Sequence, residues 1–121
     1  MKIAVAVALA ALALQKTPSA SDASAVIVKD GVAIYAMLTN PDMYDAYVQS
    51  GTSEAGTVEL RDGDKPAANI TIPSFGSVEL KAGGPFVLVT GLKNPPKAGD
   101  TITVTLMTDG GDKIPLAATI K

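Results

Sequence analysis

Along most of the chain, apolar and polar positions alternate with a period of two. Val32, Ile34, Ala36 and Leu38 alternate with Ala33, Tyr35, Met37 and Thr39; Tyr44, Ala46 and Val48 alternate with Asp45, Tyr47 and Gln49. The pattern returns at Val58 and Leu60, Ile70 and Ile72, Val78 and Leu80, Ile102, Val104 and Leu106, and Ile114, Leu116, Ala118 and Ile120. A period of two places alternate side chains on opposite faces of a strand, so each run predicts a half-buried β-strand. Phe86 to Val89 is a continuous apolar run, which predicts a strand covered on both faces. β-Branched residues dominate, and their stiff χ1 suits a pleated surface.

Turn chemistry separates the runs. Asp30-Gly31, Asp62-Gly63 and Asp109-Gly110 supply residues that tolerate positive φ, as tight hairpins require. Asn40-Pro41, Asn94-Pro95-Pro96 and Ala82-Gly83-Gly84-Pro85 mark longer connections. The one candidate helical turn, Ser53 to Ala55, is too short to count. The expectation is an all-β domain: a Greek-key β-sandwich of about eight or nine short strands.

The N-terminus breaks the pattern. Lys2 is followed by an unbroken apolar stretch from Ile3 to Leu14, then a polar stretch from Gln15 to Ser24. This is the layout of an export signal, and Ala23-Ser24-Ala25 has the small-x-small form of a cleavage site. The expected division is therefore a signal peptide over 1–25, cleaved, and a single domain over 26–121, with a cut after Ala20 as the alternative. The apolar stretch is shorter than the ~20 residues that a helix needs to span a bilayer, so removal is expected rather than a retained anchor, and no later segment is long and apolar enough to insert after cleavage. With no cysteine near the cut, no lipid anchor is expected either. The location expected is periplasmic or secreted.

Composition narrows the chemistry. The 121 residues contain no histidine, no cysteine and no tryptophan, and only 4% are aromatic, so Val, Ile, Leu and Ala must build the core. Without His there is no Ser-His-Asp triad, and without Cys there is no thiolate, disulfide or zinc-thiolate site. A cut after Ala25 removes Lys2, Lys16 and Asp22 from the 10 basic and 12 acidic side chains, leaving 8 and 11, a net charge of −3. These charges are scattered, so nucleic acid is not an expected partner.

The remaining candidates read more simply as structure. Lys81 and Lys93 adjoin turns, and no serine sits in a nucleophile elbow. Glu59 and Glu79 fall between core-facing neighbours and should point to solvent. Asp62-Gly63-Asp64 and Asp109-Gly110-Gly111-Asp112 lack the further ligands of a calcium loop. Asn69-Ile70-Thr71 is a glycosylation sequon inside an expected strand. Met37, Met43 and Met107 could offer thioethers to Cu(I), but they show no tight spacing, and packing is the ordinary role of an isolated Met.

The order of segments resembles a known family. Gly31 to Asn40 (GVAIYAMLTN), Gly56 to Leu60 (GTVEL), Ser77 to Gly91 (SVELKAGGPFVLVTG) and Leu92 to Leu106 (LKNPPKAGDTITVTL) are similar to the periplasmic copper chaperones called PCuAC. The resemblance implies a cupredoxin-like β-sandwich, with copper delivery to respiratory oxidase assembly as the family activity. It also implies where copper ligands would stand. The His that follows the V-E-L segment corresponds to Arg61, and the His and Met of the later strand correspond to Phe86 and Leu88. The family hairpin that carries further Met ligands is shortened here to Asp62–Pro73 and has no Met. A guanidinium has no acceptor and stays protonated, and hydrocarbon has no lone pair.

The expectation drawn from this is a non-enzymatic exported binding or accessory domain with the family metal site lost and no cofactor. Arg61, Phe86 and Leu88 would form a candidate patch for a periplasmic protein partner, in copper handling or oxidase assembly, or for a small molecule. The plainer reading is that Phe86 and Leu88 fill the core rim and Arg61 is solvated. The alternative function is a residual copper chaperone that binds Cu(I) through Met37, Met43 or Met107, or with a ligand from the partner. A Ser–Lys or paired-carboxylate hydrolase comes third. Oligomeric state is not legible.

Overall fold

The alternation is realised as strands in the computed structural model, which describes residues 17–121. The expected signal stretch, 3–14, lies outside these. The described residues form ten strands and no helix: β1 (Ser19–Val28), β2 (Gly31–Thr39), β3 (Ala46–Thr52), β4 (Thr57–Asp62), β5 (Lys65–Pro66), β6 (Ile70–Ile72), β7 (Ser77–Glu79), β8 (Pro85–Thr90), β9 (Thr101–Thr108) and β10 (Lys113–Ile120). They hydrogen-bond in the order β5-β4-β8-β2-β1-β10-β9-β3-β6, with β7 also on β2. The pairs are antiparallel except β1 with β10.

This continuous sheet curls until its two halves face each other. The closing contact falls at Gly51 on β3, where an added Cβ would stand 2.8 Å from Val58 Cγ1 on β4 and 3.0 Å from Leu106 Cδ2. The inward rows are those the alternation predicts: Val32, Ile34, Ala36 and Leu38 from β2, Val87 and Val89 from β8, Ile102, Val104 and Leu106 from β9, and Ile114, Leu116, Ala118 and Ile120 from β10. In β8, Leu88 is buried as well, as expected of a strand flanked by β4 and β2.

Three details differ from the pattern-based expectation. First, β1 begins at Ser19, ahead of the expected domain boundary at Val26. Ser19, Ala20 and Ser21 pair with Thr39, Leu38 and Met37; Ala25 is fully buried, and its carbonyl accepts from Lys121 N–H at 2.9 Å. Asp22 (φ 54°) and Ala23 bulge between paired Ser21 and Ser24. Secondly, β3 starts at Ala46, leaving Tyr44 in the preceding loop and 72% exposed. Asn40 holds that loop off the strand by donating to the Tyr44 carbonyl. Thirdly, the turn-forming glycine of the β9–β10 hairpin is Gly111 (φ 87°), whereas Gly63 (φ 64°) serves the β4–β5 hairpin as expected.

Candidate functional site

On β4 the outward residues are Glu59 and Arg61, because Val58 and Leu60 turn inward. Antiparallel register sets Arg61 directly opposite Phe86 and Glu59 opposite Leu88. Directly opposed residues share a face, so Arg61, Phe86 and Leu88 lie on one outer surface. The next strand continues these rows, with Ala33 opposite Leu88. The Tyr35 ring meets Phe86 edge-on, with centroids 6.1 Å apart at 65°, the geometry that the aromatic quadrupole favours.

The three side chains differ in what they present. Arg61 lies down along the sheet: its Nη2 donates to the Asp64 carbonyl at 2.7 Å, while its Nε is buried without a hydrogen-bond partner. A cleft of about 190 Å³ opens beside it, bounded by Asp62, Asn69, Thr71, Val78 and Pro85. Phe86 is half-buried and packs against the rim of the core. Leu88 is only 5% exposed and, with Ala33, stands apart from the main core cluster. The accessible part of the surface is thus the half-buried Arg61 and Phe86, with Leu88 as its apolar floor.

The other sequence candidates do not converge. Met37 on β2 pairs with Glu79 and Ser21, Met107 on β9 pairs with Lys113 and Ser50, and Met43 sits in the β2–β3 loop. Two strands, β1 and β10, separate β2 from β9. At ~4.8 Å per strand, Met37 and Met107 are roughly 14 Å apart along the sheet, too far to share one ion. Glu59 and Glu79 are both exposed, as expected. Among the described residues, no group of three or more His, Cys, Asp or Glu is placed to hold a metal ion.

Two features escaped the sequence reading. One is a groove of about 710 Å³ between Thr52–Ala55 and Thr101–Thr105, lined mainly by hydroxyl side chains; Ser53 Oγ closes part of it by donating to the Thr103 carbonyl at 2.8 Å. The second is Asn40, a nearly fully buried side chain whose Nδ2 donates to the Tyr44 and Ile72 carbonyls, and whose Oδ1 accepts from Asp42 N–H. An Asn before a Pro reads as an ordinary turn residue; a pattern scan gives no sign of its burial.

This curled sheet is the cupredoxin-like architecture of PCuAC domains. It is similar to the apo PCuAC domain from PmoF1 (TM-score 0.74, 16% identity, covering 84% of this chain and 91% of that one). It is also similar to the copper-bound PCuAC domain from PmoF2 (TM-score 0.73, 13% identity, covering 84% and 90%). At such identities the likeness speaks for the fold alone. Copper(I)-bound DR1885 from Deinococcus radiodurans is similar at 29% identity and TM-score 0.68, covering 89% of this chain and 79% of that one. No curated protein matches. A family profile described as "Putative lipoprotein LpqE-like" matches residues 7–120, and the chain belongs to this LpqE-like family.

Proposed function

We propose that this chain is a non-enzymatic exported binding domain on a PCuAC scaffold, in which the copper positions have been given over to contact with a protein partner in copper handling. The observation that carries the reading is the cross-strand pair Arg61–Phe86 on one outer face, with the guanidinium Nε buried and without a hydrogen-bond partner. Arg and aromatic side chains are the usual anchors of binding surfaces. The donor set does not fit a soft cation: Arg61, Phe86 and Leu88 offer it no lone pair. Export is supported by the apolar stretch from Ile3 to Leu14 and by the word lipoprotein in the family description.

Titration with Cu(I) against a competing chelator, followed by native mass spectrometry, tests this. The expected result is no stoichiometric copper on the wild type, and at least tenfold tighter retention by the triple variant R61H/F86H/L88M. One tightly held copper per wild-type chain would refute the loss of the site.

The likeness to copper(I)-bound DR1885 favours a second reading, in which Cu(I) is cargo held by a thioether and completed by the partner. Of Met37, Met43 and Met107, Met43 is the most accessible, at 62% exposed. Copper retention by wild type that vanishes in Met43→Leu would support it.

A further inference from the structure

At one end of the sandwich three loops are stitched together: 40–45 between β2 and β3, 73–76 between β6 and β7, and 109–112 between β9 and β10. Phe75 N–H donates to the Asp42 carbonyl at 3.0 Å, Ser74 N–H to Asp45 Oδ1 at 2.9 Å, and Asp109 N–H to the Tyr47 carbonyl at 2.9 Å. Asn40 underpins the assembly from below, its own N–H donating to the Gly76 carbonyl at 2.8 Å.

This fixed end displays apolar surface that no neighbour covers. Met43 is 62% exposed, Tyr44 72%, Tyr47 36% and Phe75 73%; the only other exposed large hydrophobic among the described residues is Ile27. A cluster of this kind is unusual on a small domain, whose surface apolar residues are normally scattered. Phe75 makes the strongest case. Gly76 N–H donates to the Pro73 carbonyl at 3.0 Å, which puts Phe75 at the third position of a β-turn with φ 52°. That position favours Gly or Asn, and a bulky residue there is strained. Folding thus gains little from the ring, which is mostly exposed and sits on a backbone conformation that bulky residues rarely adopt. Strained residues held by a rigid surround concentrate at binding sites.

Charge decides what the surface fits. Asp42, Asp45, Asp109 and Asp112 surround a cleft of about 190 Å³ beside Tyr44, and the segments 40–47, 73–76 and 108–112 contain no lysine or arginine. Carboxylates that line a cleft together with Tyr44 repel an anionic bilayer and attract a cation, which also gains from the ring quadrupole of the exposed tyrosine. We infer that the Tyr44–Phe75 end is a docking surface for a protein segment carrying Arg or Lys next to an apolar side chain. The inference concerns a surface separate from Arg61 and Phe86 and stands whatever becomes of that patch.

Fluorescence anisotropy tests it with labelled synthetic peptides of about a dozen residues: alternating Arg and Leu, alternating Glu and Leu, and alternating Arg and Ser. The Arg-Leu peptide is expected to bind at physiological salt and the other two at least tenfold more weakly. Phe75→Asn and Tyr44→Ser should each weaken the Arg-Leu complex about tenfold. Asp42→Asn with Asp45→Asn should also weaken it, while Asp62→Asn with Asp64→Asn, on the β4–β5 hairpin, should not. Phe75→Asn keeps the fold, since Asn tolerates the turn conformation, so its Tm should not fall. The proposal is overturned if no peptide binds, if the hairpin carboxylates matter as much as those at the tip, or if Phe75→Asn binds like wild type. Phe75-dependent binding to phosphatidylcholine vesicles would replace it with a membrane-facing tip. Phe75-dependent dimerisation would replace it with contact to a second copy.

Discussion

Asn40 offers the sharpest test of how this end of the molecule is held. Its side chain is 1% exposed and makes three hydrogen bonds: Nδ2 to the Tyr44 carbonyl at 2.8 Å, Nδ2 to the Ile72 carbonyl at 3.0 Å, and Oδ1 from Asp42 N–H at 3.0 Å. Asn40→Ala removes all three. At about 1 kcal/mol net per bond the loss is about 3 kcal/mol, with the buried Ile72 carbonyl bearing most because it cannot turn to water. For a domain of this size the melting temperature should fall on the order of 15 °C. Asn40→Asp keeps the shape but turns the donor into an oxygen facing two carbonyl oxygens. Burial and those dipoles disfavour the ionised form, so the folded carboxyl titrates above its unfolded value of ~3.9. A raised folded value means that the stability is present in full below ~4 and is lost as pH rises through the folded value. Urea denaturation at pH 4 and pH 7, each against wild type at the same pH, should show the N40D deficit widening toward neutrality. An N40A deficit under about 1 kcal/mol, or an N40D gap that narrows as pH rises, would refute the account.

The start of the fold is also open to test. A chain beginning at Val26 lacks the pairing of Ser19–Ala25 and the buried Ala25 methyl, and it should lose at least about 3 kcal/mol relative to one beginning at Thr17; equal urea midpoints would place the true boundary at Val26. Leu106, fully buried below Gly51 where the sheet closes, should cost about 3 kcal/mol as Leu106→Ala; a change under about 1 kcal/mol would mean that the closing contact is loose.

The inward rows were legible because a half-buried strand writes its two faces into the sequence as alternation. Ile102, Val104 and Leu106 read directly as one buried row, and so they stand. The start of β1 was not legible, because Ser19 to Ser24 is small and polar, like a cleavage linker, and its strand character comes from β2 and β10 on either side. The two residues of β5 exist only as the return arm of a hairpin. Extending β3 back to Tyr44 failed because alternation cannot register a buried Asn that captures the loop carbonyl. As for the site, no spacing rule sets residue 61 opposite residue 86; segment order in a related family brought the two together, and the register of β4 on β8 now gives that juxtaposition a physical form.

The same alternation explains how one scaffold can carry different surface chemistry. On β4 and β8 the core is served by Val58, Leu60, Val87 and Val89, while Glu59, Arg61, Phe86 and Leu88 belong to the opposite face. A change at 61 therefore removes no inward side chain and leaves the sheet hydrogen bonds in place. The tip obeys a different logic. Tyr44 and Phe75 hang on loops, and their positions depend on Asn40, on the backbone bond from Phe75 N–H to the Asp42 carbonyl and on the bond from Ser74 N–H to Asp45 Oδ1. Strand register holds one surface and a buried amide holds the other. Loosening Asn40 should therefore disorder the tip while Arg61 stays opposite Phe86, because the two surfaces share no support.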